Sequence, residues 1–295
     1  MCGYIPRACF AAAVSPEGLS TAKATIHNAI KGTEKLADAV VGVHGAQLIH
    51  RAFLIVPGSN TNRYWESCVA EPVSDWAFSD ILTELDERGT NEAYNFYRMI
   101  QGGDGAGLSG KMFEKKVHRF FRSINQPKSF TIRSLDNRST TFNITFSSET
   151  VHHTFSTLQR LAGELVLSAN RCTSCYLVPE SPVFATFDSF LYQHNVSQHD
   201  CSSLIGFQIT TASKHPISMK GLADVQKCLN RQFPELKALR PTKATKWIIL
   251  FVVPESVAGS FVRQGFEGAK KGDWSVKTTQ YILGLPEEEV FKSNK

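Results

Sequence analysis

The sequence has no uninterrupted apolar run of the roughly 18 residues that a membrane-spanning helix needs. It also has few cysteines, seven in 295 residues, and their number is odd and their spacing scattered. A disulfide framework is therefore not expected, and a reducing compartment is. No basic segment followed by an apolar stretch stands near residue 1, so we expect an intracellular protein of the nucleus or cytoplasm, without a membrane partner.

Internal repeats and low-complexity tracts are missing as well, and the chain is 42% hydrophobic and 20% charged. This composition is typical of a globular protein and excludes a collagen-like repeat, a coiled coil and a disordered tail. The length suits one large or two modest domains. The formal net charge of +5 is compatible with an anionic partner but does not identify one.

The one glycine cluster of the sequence divides the chain into two regions. Successive glycines cost too much backbone entropy inside a helix or strand, so residues 102–108 are predicted to form a hinge. Residues 1–101 are predicted to be mostly helical. Within them, Ser74 can cap a helix that carries apolar residues at helical spacing and ends at Gly89. Residues 286–295 are predicted to be a polar tail.

Helical and strand patterns alternate in the second region, residues 109–285. An apolar stripe at helical spacing predicts a helix at 109–123, and further helices are predicted at 221–233 and 256–265. Strands are predicted at 129–132, 141–146, 183–192, 203–210, 247–253 and 279–283. The segment 247–253 (WIILFVV) is the most apolar, which favours a central position. This order predicts an α/β fold with a mixed central sheet flanked by helices, preceded by the mostly helical region.

Two motifs of known chemistry are incomplete. Residues 105–111 (GAGLSGK) match the first part of a phosphate-binding loop, but no strand precedes them and Met112 stands where a magnesium-binding hydroxyl is needed. ATP is therefore not an expected ligand, and no other small-molecule cofactor is expected. Cys172 and Cys175 form a single C-x-x-C, whereas a structural zinc site usually takes four ligands from two such pairs.

The candidate chemistry of the chain lies in five polar residues of the second region. Glu114 and His118 are four residues apart on the first predicted helix, so they share one of its faces. Asp188 stands in an otherwise apolar strand pattern, which is costly unless the carboxylate is paired, hydrated or bound to a metal. Gln208 and Thr210 are two residues apart on the next predicted strand, so they also share a face.

Two interpretations fit this pattern. A helix acid, a strand acid and a polar pair at alternate positions of the next strand form the layout of a magnesium site that activates water. Alternatively, Asp188 hydrogen-bonds the backbone at a strand end, and Gln208 and Thr210 are ordinary surface residues.

Short strings spread along the second region carry a family resemblance. In chain order they are 110–118 (GKMFEKKVH), 184–190 (FATFDSF), 206–210 (GFQIT), 215–217 (HPI), 221–222 (GL), 251–254 (FVVP) and 280–285 (QYILGL). Together they resemble the C-terminal domain of Crinkler and retrotransposon-hot-spot proteins of the fungal type, over about 60% of the chain. Residues 1–100, through 4–10 and 50–53, more weakly resemble the tail of the ATPase module that precedes this domain, so the chain resembles a truncated member.

The resemblance implies a restriction-endonuclease-like fold of the PD-(D/E)XK class and a magnesium-dependent nuclease that acts on DNA, in a mobile element or as an effector. Glu114 would match the helix acid of the family, Asp188 its metal-binding aspartate and Gln208 its second metal ligand. Thr210 occupies the position of the catalytic lysine.

Gln208 and Thr210 depart from the general motif of that class. An amide oxygen binds magnesium without contributing charge, and a threonine hydroxyl cannot supply the positive charge of a lysine. The auxiliary candidates are His118, Lys214 and His215. The alternative function is therefore a catalytically inactive module on the same fold, which binds nucleic acid or a protein partner.

A basic run surrounds the helix acid. Eight lysines and arginines fall within residues 111–138, against two acidic residues. The five members nearest Glu114 are Lys111, Lys115, Lys116, Arg119 and Arg122. Because a nuclease must hold phosphates beside its metal site, we expect these five to bind DNA. The alternative is a solvated helix face, which is the commoner role of a charged run.

Overall fold

The structure is a computed structural model that describes residues 15–34, 36, 52–57, 68–101, 106–181, 184, 186–194, 201–230, 234–268 and 273–292. The chain forms two units, of which the first ends at Phe113 and the second begins at Glu114. None of the helices described is long and apolar enough to cross a membrane.

The first unit contains helices and a two-stranded antiparallel sheet. Its elements include α1 (Pro16–Lys31), β1 (Phe53–Pro57), β2 (Cys68–Pro72), α2 (Asp75–Arg88) and α3 (Thr90–Ile100). The hydroxyl of Ser74 accepts a hydrogen bond from the backbone N–H of Ala77 and so caps α2, which ends at Gly89. The predicted start and end of this helix are confirmed.

Arg88 ties the end of α2 to the end of α1. Its guanidinium donates hydrogen bonds to Glu84 at 2.8 Å and to the carbonyl oxygens of Ile30, Lys31, Thr33 and Glu34 at 2.8–3.3 Å. The last carbonyls of a helix have no partner within the helix, and Arg88 supplies one to Ile30 and Lys31 at the end of α1.

Helix α4 (Ala106–Arg122) leads from the first unit into the second. The strands of the second unit are β3 (Lys128–Ser134), β4 (Thr141–Phe146), β5 (Val151–Phe155), β6 (Cys175–Pro179), β7 (Ser189–Tyr192), β8 (Cys201–Ile209), β9 (Ile217–Ser218), β10 (Lys246–Pro254), β11 (Phe266–Glu267) and β12 (Thr278–Leu285). Its further helices are α5 (Leu158–Asn170), α6 (Met219–Asn230), α7 (Glu255–Ala258), α8 (Trp274–Lys277) and α9 (Glu287–Lys292), with a 3-10 helix at Pro234–Leu239.

Eight strands form one mixed sheet in the order β4-β3-β12-β10-β8-β7-β6-β5, and β9 pairs with β11 separately. Strands β6, β7 and β8 form an antiparallel meander, whereas β10 is parallel to both β8 and β12. The most apolar strand, β10, lies inside the sheet as predicted. The predicted α/β class with a mixed sheet flanked by helices is confirmed.

The sheet curls around the C-terminal half of α4. The ring of Phe121 stacks on Phe146 of β4 with centroids 4.5 Å apart, and it also meets Tyr176 of β6 and Phe207 of β8 edge to face at 5.7 and 5.8 Å. Phe146 and Tyr176 are themselves 5.6 Å apart, although β4 and β6 are not neighbours in the sheet. The aromatic cluster thus closes the sheet over one face of the helix.

The opposite face of the sheet is covered by α5 and α6. Leu161 and Leu165 of α5 and Leu222 and Leu229 of α6 are buried in one apolar cluster with side chains from the sheet, including Phe251. Side chains of neighbouring residues in a strand point to opposite faces, so the central strands are apolar on both.

Two predicted elements are wrong in their extent. The predicted strand 183–192 is limited to β7, which begins at Ser189, because Thr186 has a φ of 84° that an extended strand does not allow. Residues 182, 183 and 185 lie outside the described residues. The predicted helix 256–265 is only the short α7, followed by an irregular segment up to Gly265.

The elements that the sequence prediction missed include β5, α5 and β6. β5 reads VHHTF, which lacks the apolar alternation of a half-buried strand. The start of α5 did carry a signal, because Thr157 precedes an apolar helical pattern and its hydroxyl accepts a hydrogen bond from the backbone N–H of Arg160.

The predicted hinge and tail also differ from the structure. Ala106 to Leu108 belong to α4, and residues 102–105 lie outside the described residues. The predicted polar tail contains α9, in which Val290 and Phe291 are buried. Because three successive glutamates precede this short apolar pair, the composition of the segment indicated a polar tail.

Candidate functional site

A pocket of about 350 Å³ opens at the edge of the sheet where β6 ends and β7 begins. It is lined by Glu114, Lys115, His118, Arg119, Arg122, Val178, Pro179, Glu180, Ser181, Phe184, Phe187 and Asp188. One wall is the polar face of α4, and another includes the rings of Phe184 and Phe187. Glu114, His118 and Asp188, which the sequence singles out, therefore share one cavity.

Asp188 lies immediately before β7 and is fixed by two hydrogen bonds to β8. Its backbone N–H donates to the carbonyl oxygen of Phe207 at 2.9 Å, and its carboxylate accepts the backbone N–H of Ile209 at 2.6 Å. Burial, and after it the negative charge of Glu114, raises the pKa of Asp188 to about 8 despite the hydrogen bond from Ile209. Without a compensating cation this carboxyl group holds its proton at neutral pH.

Glu114 and His118 lie one turn apart on α4, and the predicted shared face is confirmed. The Oε1 atom of Glu114 is 3.7 Å from Nε2 of His118. The other ring nitrogen of His118, Nδ1, is 2.8 Å from the hydroxyl of Tyr176. Burial lowers the pKa of His118, and the positive charge of Arg122 acts in the same direction, while Glu114 opposes both. These shifts favour a neutral His118 ring, which lies beside the carboxyl group of Glu114.

Gln208 lies on β8, one residue after Phe207, which pairs with Ser189 at the start of β7. It is not among the residues that line the pocket. The Gln208 side chain is buried, and its Oε1 atom has no hydrogen-bond partner among the described residues. A buried amide oxygen without a protein partner is uncommon, and an ordered water, an ion or a ligand can satisfy it.

Thr210 supports the turn that follows β8. Its backbone N–H donates to the carbonyl oxygen of Val252 at 3.0 Å, and its hydroxyl accepts the backbone N–H of Ala212 at 3.1 Å. The residue is 6% exposed. The position that the resemblance assigns to a catalytic lysine is thus held by a hydroxyl that is engaged locally.

The members of the basic run differ in burial and in the contacts they make. Lys115, Arg119 and Arg122 line the pocket, whereas Lys111 is exposed in the first unit. Lys116 is only 1% exposed and its ammonium lies 5.6 Å from the ring centre of Phe291. The expectation that Lys116 contacts phosphates is wrong, because α4 is enclosed on more than one side.

The later members of the run have structural partners. Lys128 forms an ion pair with Glu289. Arg133 and Arg138 donate hydrogen bonds to backbone carbonyl oxygens of residues 258–261, at 3.2–3.3 Å. These side chains hold the segment after α7 against the sheet.

The auxiliary candidates Lys214 and His215 lie in different environments. Lys214 is exposed and is not among the residues that line the pocket. His215 is held by its backbone N–H, which donates to Oε1 of Gln264 at 2.7 Å. Burial lowers the pKa of His215, while the charges of Glu267 and Glu114 oppose this shift. The negative charge of Glu114 on α4 thus acts on His215.

The segment before Asp188 is positioned by an unusual backbone conformation and a close contact. The Thr186 hydroxyl donates to the carbonyl oxygen of Ser218 at 2.8 Å, which holds this residue at its positive φ. The ring of Phe187 lies directly over Gly206, where a Cβ atom would be 2.2 Å from the ring. Glycine is required at position 206 because any side chain would displace Phe187.

The residues of the site that the sequence did not single out include Tyr176, Glu180, Phe187 and Ser189. Tyr176 stands in the apolar string CYLVP, and Ser189 follows Asp188 in another apolar string. Neither pattern distinguishes a buried polar side chain that faces a helix from an ordinary member of a strand. Pairing between β6 and β7 brings the two together, and that pairing is not visible in the sequence.

Among the residues that the structure describes, no three His, Cys, Asp or Glu side chains converge as a metal-binding group. The pocket is lined by the carboxylates of Glu114, Glu180 and Asp188, and the charge of Glu114 acts on Asp188. Gln208, the other metal ligand that the resemblance implies, is not part of this lining. Comparison of the chain with protein-family models, with curated proteins and with solved structures finds no match. The function of the site must therefore be inferred from the residues of the pocket.

We expect Gly206→Ala to lower the free energy of unfolding by about 1–3 kcal/mol, because the new methyl group forces the Phe187 ring out of its place. Urea denaturation measures this change. Gly163→Ala is the matched control, since a Cβ there meets nothing within 4 Å and the residue lies inside α5. Phe187→Leu should shrink the effect of Gly206→Ala in a double-mutant cycle. Equal effects of the two alanine substitutions would contradict this role of Phe187.

We also expect the stability of the wild type in metal-free buffer to fall as the pH rises from 5 to 8. The unfolded chain loses the Asp188 proton near the ordinary value of 3.8, whereas the folded chain keeps it to about 8. The folded state binds more protons between these values, so stability declines by up to about 1.4 kcal/mol per pH unit.

Asp188→Asn cannot ionise and should remove this part of the decline, as measured by urea denaturation at each pH. Glu149→Gln, which alters an exposed carboxylate, should retain it. Parallel pH profiles for the wild type and Asp188→Asn would show that Asp188 is not the responsible group.

Proposed function

We propose that the pocket binds a magnesium ion and that the second unit is a restriction-endonuclease-like nuclease domain acting on DNA, of the Crinkler and retrotransposon-hot-spot type. The observation that carries this proposal is the carboxyl group of Asp188, whose pKa is raised by burial and by Glu114. Two acidic groups kept together in a partly enclosed pocket are costly unless a cation joins them.

The donor set fits a hard divalent cation. Magnesium prefers oxygen ligands, usually one or two carboxylates, and retains several waters. Asp188 and Glu114 would supply the carboxylates. Gln208, the third ligand that the resemblance implies, has a buried amide oxygen without a partner among the described residues but does not line the pocket, so it would bind the cation only after a side-chain movement. Cysteine and histidine ligands, which zinc prefers, are absent from this set.

The order of these residues supports the fold that the resemblance implies. Glu114 is on a helix, Asp188 immediately precedes β7, Gln208 is on the adjacent strand β8, and Thr210 directly follows that strand. This is the layout that the PD-(D/E)XK class would require.

The other pocket residues suit a nucleic-acid substrate. A magnesium ion would supply charge neutralisation and Lewis-acid polarisation of a phosphodiester. Lys115, Arg119 and Arg122 would hold phosphates through charge-assisted hydrogen bonds. Val178 and Phe184 would limit the access of bulk water to the acidic end of the pocket.

A second candidate function is a nucleic-acid-binding module that does not cleave. The hydroxyl of Thr210 is engaged with the turn at Ala212 and carries no charge, so the reaction would lack the lysine of the class. The cationic side chains of the pocket would still bind phosphates. The two candidates differ only in catalysis, and one substitution separates them.

We expect DNA binding, measured by fluorescence anisotropy in EDTA, to weaken in the double variant Lys115→Ala/Arg119→Ala. Each lost phosphate contact reduces the slope of log K against log salt by roughly 0.9, so the slope should become shallower by up to about 2. Arg160→Ala/Lys227→Ala removes two exposed cations outside the pocket and should leave the slope unchanged. If the wild type does not bind DNA at low salt, the nucleic-acid proposal is wrong.

Cleavage of plasmid DNA in magnesium should be weak in the wild type, lost in Asp188→Asn and increased in Thr210→Lys. If the wild type and Thr210→Lys both bind DNA and neither cleaves it, the binding module is the correct function. Cleavage that persists in Asp188→Asn would contradict the assignment of the site.

A further inference from the structure

Three buried side chains connect the two sides of the pocket through hydrogen bonds. The hydroxyl of Ser189 donates to the phenol oxygen of Tyr176 at 2.8 Å, and that phenol lies 2.8 Å from Nδ1 of His118. Ser189 and Tyr176 are fully buried and His118 is 8% exposed. The chain of contacts starts next to Asp188 in sequence and ends next to Glu114 in space.

The donors and acceptors of this chain favour one tautomer of His118. The Tyr176 oxygen accepts from Ser189, and the arrangement in which the phenol proton also makes a hydrogen bond directs it to Nδ1 of His118. Because Nδ1 is an acceptor, the neutral ring carries its proton on Nε2, the atom that lies 3.7 Å from Oε1 of Glu114. Burial raises the pKa of Tyr176, so the phenol keeps its proton at every pH of interest.

The Nε2–H group of His118 has Glu114 as its neighbour and no hydrogen-bond partner in the described part of the chain. At 3.7 Å the contact with Glu114 is longer than a direct hydrogen bond, as is common for site contacts before a ligand is bound. The side chain of Glu114 is 34% exposed, so it has rotamer freedom that a fixed donor can restrict.

We propose that Tyr176 and His118 are positioning residues that hold the carboxylate of Glu114 toward the cation site, although neither would touch the cation. This inference rests on the proposed function, since it assumes that Glu114 and Asp188 share a divalent ion. Tyr176 determines which nitrogen of His118 carries the proton, and His118 presents that proton to Glu114. Partners that orient a metal ligand in this way contribute strongly to metal affinity in other proteins.

The test is the affinity of the full chain for Mn²⁺, measured by titration calorimetry, in the wild type and in Tyr176→Phe. We expect the loss of the hydroxyl to weaken Mn²⁺ binding by about tenfold to a hundredfold. Tyr192→Phe is the matched control, because Tyr192 is also a buried tyrosine of the sheet, on β7, and its hydroxyl lies outside the chain of contacts. Its affinity should equal that of the wild type.

A second readout follows the tautomer itself. The ¹⁵N chemical shifts of His118 should report a proton on Nε2 in the metal-free wild type and in Tyr192→Phe, and a mixture of tautomers in Tyr176→Phe. If Tyr176→Phe fails to fold, His118→Gln and His118→Leu replace it. Glutamine keeps a donor near the position of Nε2 and should retain most of the Mn²⁺ affinity, whereas leucine should lose it.

The outcomes separate this inference from the proposed function. Unchanged Mn²⁺ affinity in Tyr176→Phe, or in His118→Leu, would overturn the positioning role while leaving the cation site intact. A wild type that has the expected tautomer but binds no Mn²⁺ would overturn the proposed function, and the positioning role with it. A proton on Nδ1 of His118 in the wild type would overturn the positioning role alone.

Discussion

A carboxyl group that is buried beside a second carboxylate is unfavourable as an anion. The contacts around Asp188 hold it in such a position, next to Glu114. Its backbone and its carboxylate are both hydrogen-bonded to β8, so it cannot turn away from the pocket. The Phe187 ring over Gly206 and the positive φ of Thr186 fix the chain on its other side. A proton or a cation must therefore compensate Asp188, and this requirement defines the site.

The curled sheet places the second carboxylate. Phe121 of α4 contacts rings from β4, β6 and β8, so the helix lies in the concave face of the sheet with Glu114 and His118 toward the pocket. The same packing explains why Lys116 is buried while Lys115 and Arg119 reach the pocket. Aromatic packing around one helix thus determines both the acidic pair and the cationic side chains beside it.

Part of this arrangement could be predicted from the sequence. The four-residue spacing of Glu114 and His118 predicted their common face, and the apolar string of β10 predicted an interior strand. An unusual acid in an apolar string marked Asp188. These are local signals, which the periods of helices and strands make readable.

The rest depends on contacts between residues distant in the chain. In the sequence, Lys116 has the pattern of a surface residue in a charged run. It is buried because the sheet and α9 pack around α4. In the sequence, Tyr176 has the pattern of a residue in an apolar strand. The pairing of β6 with β7 brings its hydroxyl into hydrogen-bond contact with Ser189. The positive φ of Thr186, at a β-branched residue, has no sequence signal and shortened the predicted strand before Asp188.

The cation is the central claim, and anomalous diffraction from crystals soaked in Mn²⁺ tests it most directly. We expect an anomalous peak in the pocket, about 2.0–2.6 Å from carboxylate oxygens of Asp188 and Glu114. The peak should be absent in Asp188→Asn crystals under the same conditions. Saturating Mn²⁺ that leaves the wild-type pocket without a peak, or a peak that persists in Asp188→Asn, would contradict it.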